Sequence, residues 1–435
     1  MNVPMVSPRA RAVLLLSSCG LALWLAFFGL RNAVAAHDVG LDTRQGYERA
    51  AHLEPQNARN WYLLGRSYLY DVDDPEPARA EQALRKAVAL DPYSAEALLD
   101  LASAYDGEGN IAEARAAFIA AQRAYPLSAE VAWSYGNFLL RQGENDAALA
   151  QLHKSLELDP KRAAEAFSRA LRAVSDVNKV LDIMVPATPE AYLPILRLLS
   201  ASDDLADAEL LWYRLVDLHG KAPMGDMVVF FDALIHDRRA DDAARLWPAA
   251  VSIMQNPPPP DPPNSLLWDG GFESGYSGGA FSWLFTSVAR DVQIWWDRSQ
   301  KHSGEQSMRI LFNGRENLRF SDLCHQFVPE PSRHYLLSAW VKTQALSSSE
   351  GIRLEIHAFS GTGTVMAESD EVHGTQDWRE LHLRWDAPPD SGLGSVCIAR
   401  NMSDRPGSDI QGAAWIDDVA MVPVESADSG APSNP

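Results

Sequence analysis

Pro92, Pro126 and Pro160 recur at an interval of 34 residues, and the same order of small and large residues precedes each of them. Spacings of three and four residues place these positions on one apolar face of a helix. A second helical block ahead of each stripe repeats a similar order. Two such helices cannot bury their apolar faces alone, so successive pairs stack on one another. The repeated positions are Ala80, Leu84 and Ala87, then Ala114, Phe118 and Ala121, then Ala148, Leu152 and Ser155, and in the block ahead Trp61, Leu64, Gly65 and Tyr68, then Leu98, Leu101, Ala102 and Tyr105, then Ala132, Tyr135, Gly136 and Leu139.

This register resembles the tetratricopeptide repeat family, which implies an α-solenoid of helical hairpins. Tyr47 and Pro55 already occupy second-helix positions, so a partial repeat opens the array. Degenerate repeats with the same order of small and large residues occur around Trp212 and Trp247. We therefore expect the solenoid to cover residues 41–252.

The resemblance also implies a concave surface, formed by the first helices of successive hairpins, that binds peptides or other proteins. Polar residues on those helices are the expected contacts, whereas the aromatic repeat positions are expected to pack in the core. The protein-binding candidates by position are Asn60, Arg66, Asp100, Ser134 and Asn137.

The N-terminal residues 12–30 are apolar and uncharged, which is about the length that crosses a bilayer as a helix. Arg9 and Arg11 precede this stretch and favour an N-terminus in the cytoplasm, with the body of the chain outside it. We expect residues 1–36 to form a cytoplasmic stub and an uncleaved signal anchor in a bacterial-type cell envelope. Cleavage after Ala36 and lipidation at Cys19 are two alternatives, and both also export the body of the chain.

Charge and cysteine content limit the classes of partner and the cellular compartments that are compatible with the chain. The formal net charge of −20 argues against a nucleic-acid partner, because phosphate binding requires a basic surface. Cys19 lies in the apolar stretch, which leaves Cys324 and Cys397 for an exported domain. Two alternatives are compatible with this pair: a disulfide between neighbouring strands, or two buried free thiols.

A change of periodicity marks a second half of the chain. Six of the nine residues from Asn256 to Asn264 are proline, which predicts a stiff extended linker at 253–264. Beyond it, apolar and polar residues alternate in eight or nine short segments separated by turn residues. This pattern predicts an antiparallel β-sandwich, or jelly roll, over 265–425, followed by a disordered tail at 426–435. The expected fold class is multidomain α plus β: a transmembrane helix, a solenoid and a sandwich.

Four motifs in the second half resemble the carbohydrate-binding-module jelly rolls of xylanases and related glycanases. They are D-G-G-F-E at Asp269–Glu273, H-S-G at His302–Gly304, Y-L-L-S-A-W-V-K at Tyr335–Lys342 and W-I-D-D-V at Trp415–Val419. Their order along residues 264–425 matches that family. The resemblance implies a jelly-roll fold and a glycan ligand.

The same resemblance implies a structural calcium ion where the terminal strands pair. Its ligands would be Glu273 and Asp418, with Asp417 as a further ligand and backbone carbonyls near Gly304. In the alternative, these carboxylates bind backbone groups without a metal.

Sugar binding by such modules needs aromatic faces for pyranose rings and polar neighbours for hydroxyl groups. The glycan-binding candidates are Tyr276, Phe281, Trp283, Trp295, Trp296, Arg353, His357 and Phe359.

The order of anchor, solenoid, linker and sandwich favours a non-enzymatic envelope scaffold that binds protein and glycan, in surface or exopolysaccharide assembly. One alternative is a purely protein-binding scaffold with a structural sandwich. A glycan-active enzyme is a third hypothesis, but its obvious carboxylate pair, Asp417 and Asp418, lies in a motif that is structural in the family.

Overall fold

The computed structural model describes residues 8–202, 205–276, 278–285, 291–358, 364–405 and 409–425. The predicted tail at 426–435 lies outside these residues. The described chain is helical first and β-structured afterwards, so the predicted fold class is confirmed. The helices are α1 (Pro8–Gly40), α2 (Arg44–Leu53), α3 (Ala58–Leu69), α4 (Pro77–Leu90), α5 (Ala95–Gly107), α6 (Ile111–Ala124), α7 (Ala129–Arg141), α8 (Asn145–Leu158), α9 (Ala163–Val174), α10 (Val177–Met184), α11 (Pro189–Ser200), α12 (Ala206–Asp217), α13 (Met224–His236) and α14 (Ala240–Ile253), with a short 3-10 helix at Pro160–Arg162. The strands are β1 (Trp283–Phe285), β2 (Val292–Asp297), β3 (Ser307–Asn313), β4 (Phe320–Phe327), β5 (His334–Leu346), β6 (Arg353–Ala358), β7 (Val365–Glu368), β8 (Gly374–Asp386), β9 (Gly394–Arg400) and β10 (Gln411–Pro423).

Helices α3 to α8 form three hairpins whose ends the sequence explains. Ser94 and Ser128 cap α5 and α7, because each side chain accepts a hydrogen bond from the backbone N–H three residues further on. The second helices α4, α6 and α8 end just before the periodic prolines, whose rings cannot continue a helix. The repeat period therefore sets the length of each hairpin.

The small residues of the repeat allow the paired helices to approach closely. A Cβ added to Gly65 would lie 2.5 Å from Cγ of Leu84, and one added to Gly136 would lie 2.9 Å from Cγ of Leu152. Both leucines are fully buried. Each glycine thus makes room for the leucine of the facing helix.

Helix α1 runs without interruption from Pro8 to Gly40, so its apolar part continues directly into the first helix of the solenoid. Ala35 is fully buried near its end, and Asp38 pairs with Arg49 of α2 at 3.2 Å. By length and composition the segment Arg11–Gly40 is sufficient to cross a membrane, although a signal sequence satisfies the same criteria. The boundary expected after residue 36 therefore falls inside a helix.

The chain divides into two compact units, Met1–Pro186 and Ala187–Pro435, and the second contains helices α11 to α14 together with the sandwich. Trp247 of α14 packs against Trp268 and Phe281, with ring centroids 5.7 and 5.5 Å apart. The carboxylate of Asp232 in α13 accepts a hydrogen bond of 2.6 Å from the backbone N–H of Ala280. Because of these contacts, the proline-rich residues 253–264 do not separate two compact units as predicted.

The sandwich consists of two five-stranded antiparallel sheets in the described residues. The first sheet has the order β1-β4-β9-β6-β7, and the second has the order β2-β3-β10-β5-β8. Inward-facing side chains of both sheets form one core that includes Phe272, Leu337, Ile356 and Ile416. Cys324 of β4 and Cys397 of β9 lie opposite each other and form a disulfide.

Candidate functional site

The first helices α3, α5, α7 and α9 present a surface that we call the first-helix surface. Tyr62, Arg66 and Tyr70 follow one another at spacings of four residues in α3 and its C-cap, so their side chains share one face. Asp100 of α5 joins them: its carboxylate accepts a 2.8 Å hydrogen bond from Tyr70 and lies 3.4 Å from Nε of Arg66. The guanidinium of Arg66 lies 5.6 and 5.7 Å from the ring centroids of Tyr62 and Tyr70.

Partial burial perturbs the acid–base behaviour of this cluster. Burial, with a smaller contribution from Asp100, raises the pKa of Tyr62 to about 12. Burial also raises the pKa of Asp100, although the hydrogen bond from Tyr70 and the charge of Arg66 oppose the shift. The cluster borders a cavity of about 360 Å³, which Glu96 and Asp91 also line.

A second cluster on the first-helix surface is centred on Trp133 of α7. The guanidinium groups of Arg162 and Arg169 each lie 5.2 Å from its ring centroid. Arg162 pairs with Glu130 at 2.7 Å, and Arg169 donates a 3.1 Å hydrogen bond to Asn137. Two arginines are therefore stacked on a partly exposed indole and connect neighbouring repeats.

The structure brings some of the predicted protein-binding residues together and buries two of them, Asn60 and Asn137. Arg66 and Asp100 meet in the first cluster, and Asn137 belongs to the second. Ser134 lies 3.4 Å from a carboxylate oxygen of Glu130. The prediction that Asn60 contacts a protein partner is wrong, because its side chain is buried. Its amide donates hydrogen bonds to Ala50 O and to a carboxylate oxygen of Glu54, so it stabilises a turn inside the solenoid. The sequence analysis missed Tyr62, Tyr70, Trp133, Arg162 and Arg169, although the spacing of the two tyrosines around Arg66 was a readable signal.

Three predicted sugar-binding aromatics face the interior of the second unit, which corrects their assignment. Phe281 packs on Trp247, and Trp283 is 1% exposed, with its indole N–H donating to the backbone oxygen of Asp269 at 3.0 Å. Trp296 packs against the sandwich core and against Phe285. A sugar ring has no access to the buried rings of Phe281 and Trp283, and the partly buried Trp296 is engaged in core packing.

Tyr276 lies beside the helices rather than on an open sheet. Its ring approaches Gly225 of α13, where an added Cβ would lie 3.4 Å away. Burial and the carboxylates of Asp232 and Asp226 raise the pKa of Tyr276 to about 12. Its half-buried position thus belongs to the contact between α13 and the sandwich.

Arg353 and His357 lie on the outer face of the first sheet, where ion pairs occupy them. Arg353 is 3.1 Å from both Glu368 and Glu371, and Nε2 of His357 is 2.8 Å from Glu355, which is almost fully buried. His357 also borders a cavity of about 390 Å³ at one end of the sandwich. The remaining candidate, Phe359, lies outside the described residues.

Trp295 is the predicted aromatic that the structure places in a polar, partly exposed setting, on the outer face of the second sheet. The strand register places Trp295 opposite Arg309, Arg309 opposite Trp415 and Trp415 opposite Lys342. The Arg309 guanidinium lies 4.8 Å from the Trp295 ring centroid and 5.0 Å from that of Trp415. Asp297 holds this row in place, because it accepts a 2.9 Å hydrogen bond from the Trp415 indole and lies 3.5 Å from Arg309.

A cleft of about 500 Å³ runs beside this row, and we call it the outer-face cleft. Arg309, Lys342, Trp415 and Asp377 contribute charged and aromatic side chains to it, and Lys342 pairs with Asp377 at 2.9 Å. Amide and hydroxyl side chains supply much of the remaining lining: Ser299, Gln300, Gln344, Thr375 and Gln376. Trp415 is 3% exposed, so the open aromatic face beside this lining is that of Trp295 in the adjoining row. An aromatic face next to amides, hydroxyls and cations can bind a ligand that carries many hydroxyl groups.

The carboxylates expected to hold calcium accept hydrogen bonds from the loop at residues 302–306. Asp417 accepts from the backbone N–H groups of His302 and Ser303 at 2.7 and 3.1 Å, and Asp418 contacts the side chains of the same two residues at 2.6 Å. Glu273 accepts two further backbone N–H groups of this loop at 2.7 and 3.2 Å. Within the described ranges, no group of three or more His, Cys, Asp or Glu side chains is arranged to hold a metal. These donors occupy part of each carboxylate, as the metal-free alternative expects, and the calcium site stays a prediction.

Comparisons with known proteins found one family model and several similar solved structures. Residues 99–162 match the family model for the tetratricopeptide repeat. Among solved structures, MamA, a protein of this repeat type, is 21% identical over 41% of this chain and 96% of its own, with a TM-score of 0.32. The family 22 carbohydrate-binding module of Xyn10B from Clostridium thermocellum is 17% identical over 38% of this chain and 97% of its own, with a TM-score of 0.27. A family 61 module solved with β-1,4-galactotriose is 18% identical over 37% of this chain and 99% of its own, with a TM-score of 0.25. No curated protein matches the chain.

Proposed function

We propose that the protein is a non-enzymatic scaffold of the cell envelope that binds a protein partner on its first-helix surface. The observation that carries this proposal is the cluster of Tyr62, Arg66, Tyr70 and Asp100. A similar combination of aromatic, arginine and carboxylate side chains surrounds Trp133. Tyrosine, tryptophan and arginine are the residues that most often dominate the energy of protein interfaces. The single ion pair of the cluster, between Arg66 and Asp100, is 3.4 Å long and its arginine side chain is half exposed, so a partner can compete for Arg66.

Site-specific photocrosslinking in the producing cells tests this proposal. A photoreactive amino acid at Glu96, which lines the cavity beside Tyr62 and Arg66, should capture a discrete partner. The same probe at Arg123, an exposed residue of the second helix α6, serves as the matched control and should not. The double substitution Tyr62→Ala and Arg66→Ala should reduce capture from Glu96 at least about tenfold. Equal capture from both positions, or no effect of the double substitution, would contradict the proposal.

The row of Trp295, Arg309 and Trp415 supports a second activity, glycan binding by the sandwich. A scaffold with both activities would bring a protein partner and a polysaccharide together, as surface or exopolysaccharide assembly requires. Affinity electrophoresis of the detergent-solubilised full chain through gels containing neutral or acidic polysaccharides tests it. Trp295→Ala should abolish retardation, whereas Tyr93→Ala, at an exposed position in the first unit, should not. Retardation by none of the polymers would favour the purely protein-binding scaffold.

The location of the scaffold is also a proposal. Helix α1 supports membrane anchoring through residues 12–30, with the body of the chain outside the cytoplasm. The Cys324–Cys397 disulfide supports the same location, since such bridges persist in oxidising compartments. The carboxylates Glu273, Asp417 and Asp418 hold a loop through hydrogen bonds, which supports a structural role for them rather than acid–base catalysis.

A further inference from the structure

We propose that the outer-face cleft binds an acidic saccharide, with Arg309 and Lys342 pairing with its carboxylate groups. This inference rests on the proposed glycan binding of the sandwich and adds the class of glycan and the residues that select it. It places the ligand on the outer face of the second sheet, away from Arg353 and His357 of the first sheet.

The guanidinium of Arg309 has N–H donors that make no hydrogen bond to the described residues. Its guanidinium lies between two indoles, its Nε is buried with no hydrogen-bond partner, and its ion pair with Asp297 is 3.5 Å long. The Asp297 carboxylate is committed elsewhere, because it also accepts hydrogen bonds from Ser299 and from the Trp415 indole. A guanidinium can donate five hydrogen bonds in a planar fork that matches a carboxylate. The stacked indoles fix the plane of the Arg309 fork before a ligand arrives.

Lys342 supplies a second cation one strand away. It lies opposite Trp415 on β5, and its ammonium pairs with Asp377, whose side chain is 85% exposed. An ion pair with so exposed a carboxylate contributes little to the stability of the fold. A ligand carboxylate can therefore replace Asp377 with little loss of free energy. Arg309 and Lys342 thus offer two cationic contacts along one cleft of a protein whose net charge is −20.

The neutral lining favours a saccharide over other anions. Gln300, Gln344 and Gln376 carry amides that both donate and accept hydrogen bonds, as sugar hydroxyls require. Trp295 remains partly exposed and offers an indole surface to the C–H groups of a sugar ring. A nucleic acid is disfavoured by the overall negative charge, because its affinity depends on a broad basic surface.

Isothermal titration of the detergent-solubilised full chain with matched oligosaccharides tests the proposal. The probes are tetragalacturonate, tetraguluronate and tetraglucuronate, each compared with its carboxyl-reduced counterpart, which differs only in charge. At least one acid should bind about tenfold more tightly than its reduced form. Arg309→Gln should weaken that binding about tenfold, and Lys342→Gln, whose ammonium makes single rather than forked contacts and already pairs with Asp377, by a few fold. Arg333→Gln removes the same charge just before the start of β5, where Arg333 pairs with Glu330 about 30 Å along the strand from Lys342, and should have no effect.

The possible failures have different meanings. Equal affinity for acids and reduced forms would overturn the acidic-saccharide inference and leave glycan binding standing. An equal loss in Arg333→Gln would also overturn it, since the effect would then be one of net charge. Displacement of the bound acid by polyglutamate at equal carboxylate concentration would overturn the choice of a saccharide. Binding of none of the probes, together with no retardation in polysaccharide gels, would overturn both proposals.

Discussion

His325 is a fully buried imidazole in β4, and its two nitrogens are both engaged. Nε2 accepts a 3.1 Å hydrogen bond from the backbone N–H of Trp268, and Nδ1 lies 2.6 Å from the backbone oxygen of Gln326. The ring also meets Trp283 edge-on, with centroids 5.2 Å apart. Burial lowers the pKa of His325 to about 4, so it is neutral near pH 7.

This histidine should make the second unit sensitive to acid. Its unfolded pKa is near 6.5, so between pH 6.5 and 4 the unfolded chain binds more protons than the folded one. The free energy of unfolding should therefore decrease as pH falls through this window, by about 3 kcal/mol in total for this group. Urea unfolding of wild type and His325→Gln across pH 4–7 checks it. Because burial raises the pKa of Asp269 to about 7 and produces the opposite trend, the difference between the two proteins is the informative quantity. A constant difference across pH would refute the assignment.

At the scale of elements, the sequence predicted hairpins and strands well because both carry a local period. Eight of the ten described strands coincide with alternating segments recognised in the sequence, and β1 and β7 were missed because three and four residues are too short to show a period. Alternation does not tell which face of a strand is covered. Trp295 and Trp296 are neighbours, yet the first faces outward and the second faces the core. The aromatic candidates could not be sorted without the packing of the two sheets and of α14.

The close approach of paired helices gives a prediction about single glycines. Gly65→Ala should destabilise the first unit by about 1–3 kcal/mol, since its Cβ would lie 2.5 Å from Leu84 in a packed core. Gly107→Ala is the matched control: it has open space around it and should be neutral or stabilising by up to about 1 kcal/mol through helix propensity. Thermal unfolding followed by circular dichroism compares the two variants. Equal changes in both would show that the Gly65 contact does not limit the packing.

The loop between β2 and β3 gives a second prediction at this scale. Because backbone N–H groups already bind Glu273 and Asp417 and hold this loop, we expect that calcium does not raise the melting temperature of the chain and that EDTA does not lower it. Glu273→Gln should be destabilising in the presence and absence of calcium alike, by about 1–2 kcal/mol. Differential scanning calorimetry with and without calcium measures both effects. A melting temperature that rises with calcium and is lost in Glu273→Gln would restore the family-type cation site.

For the molecule as a whole, the continuity of α1 argues against removal of residues 1–36. Cleavage after Ala36 would take away Ala35, which is fully buried, and would leave only the last residues of the helix that packs on α2. A signal peptide is normally dispensable for the mature fold, whereas the end of this segment packs on α2. Helix α1 and the beginning of the solenoid are therefore one structural element.

We accordingly expect the purified protein to retain its N-terminal residues and to remain in the membrane fraction after high-salt and carbonate washes. Leu23→Arg places a charge near the middle of the apolar stretch and should abolish membrane integration, because arginine at that depth costs about 3 kcal/mol. Leu41→Arg adds the same charge just beyond the helix, at an exposed residue, and should leave the protein in the membrane. Cell fractionation with intact-mass measurement distinguishes the outcomes. A soluble wild-type protein that begins at His37 would show that the segment is a cleaved signal, and that the solenoid is stable without the preceding turns of α1.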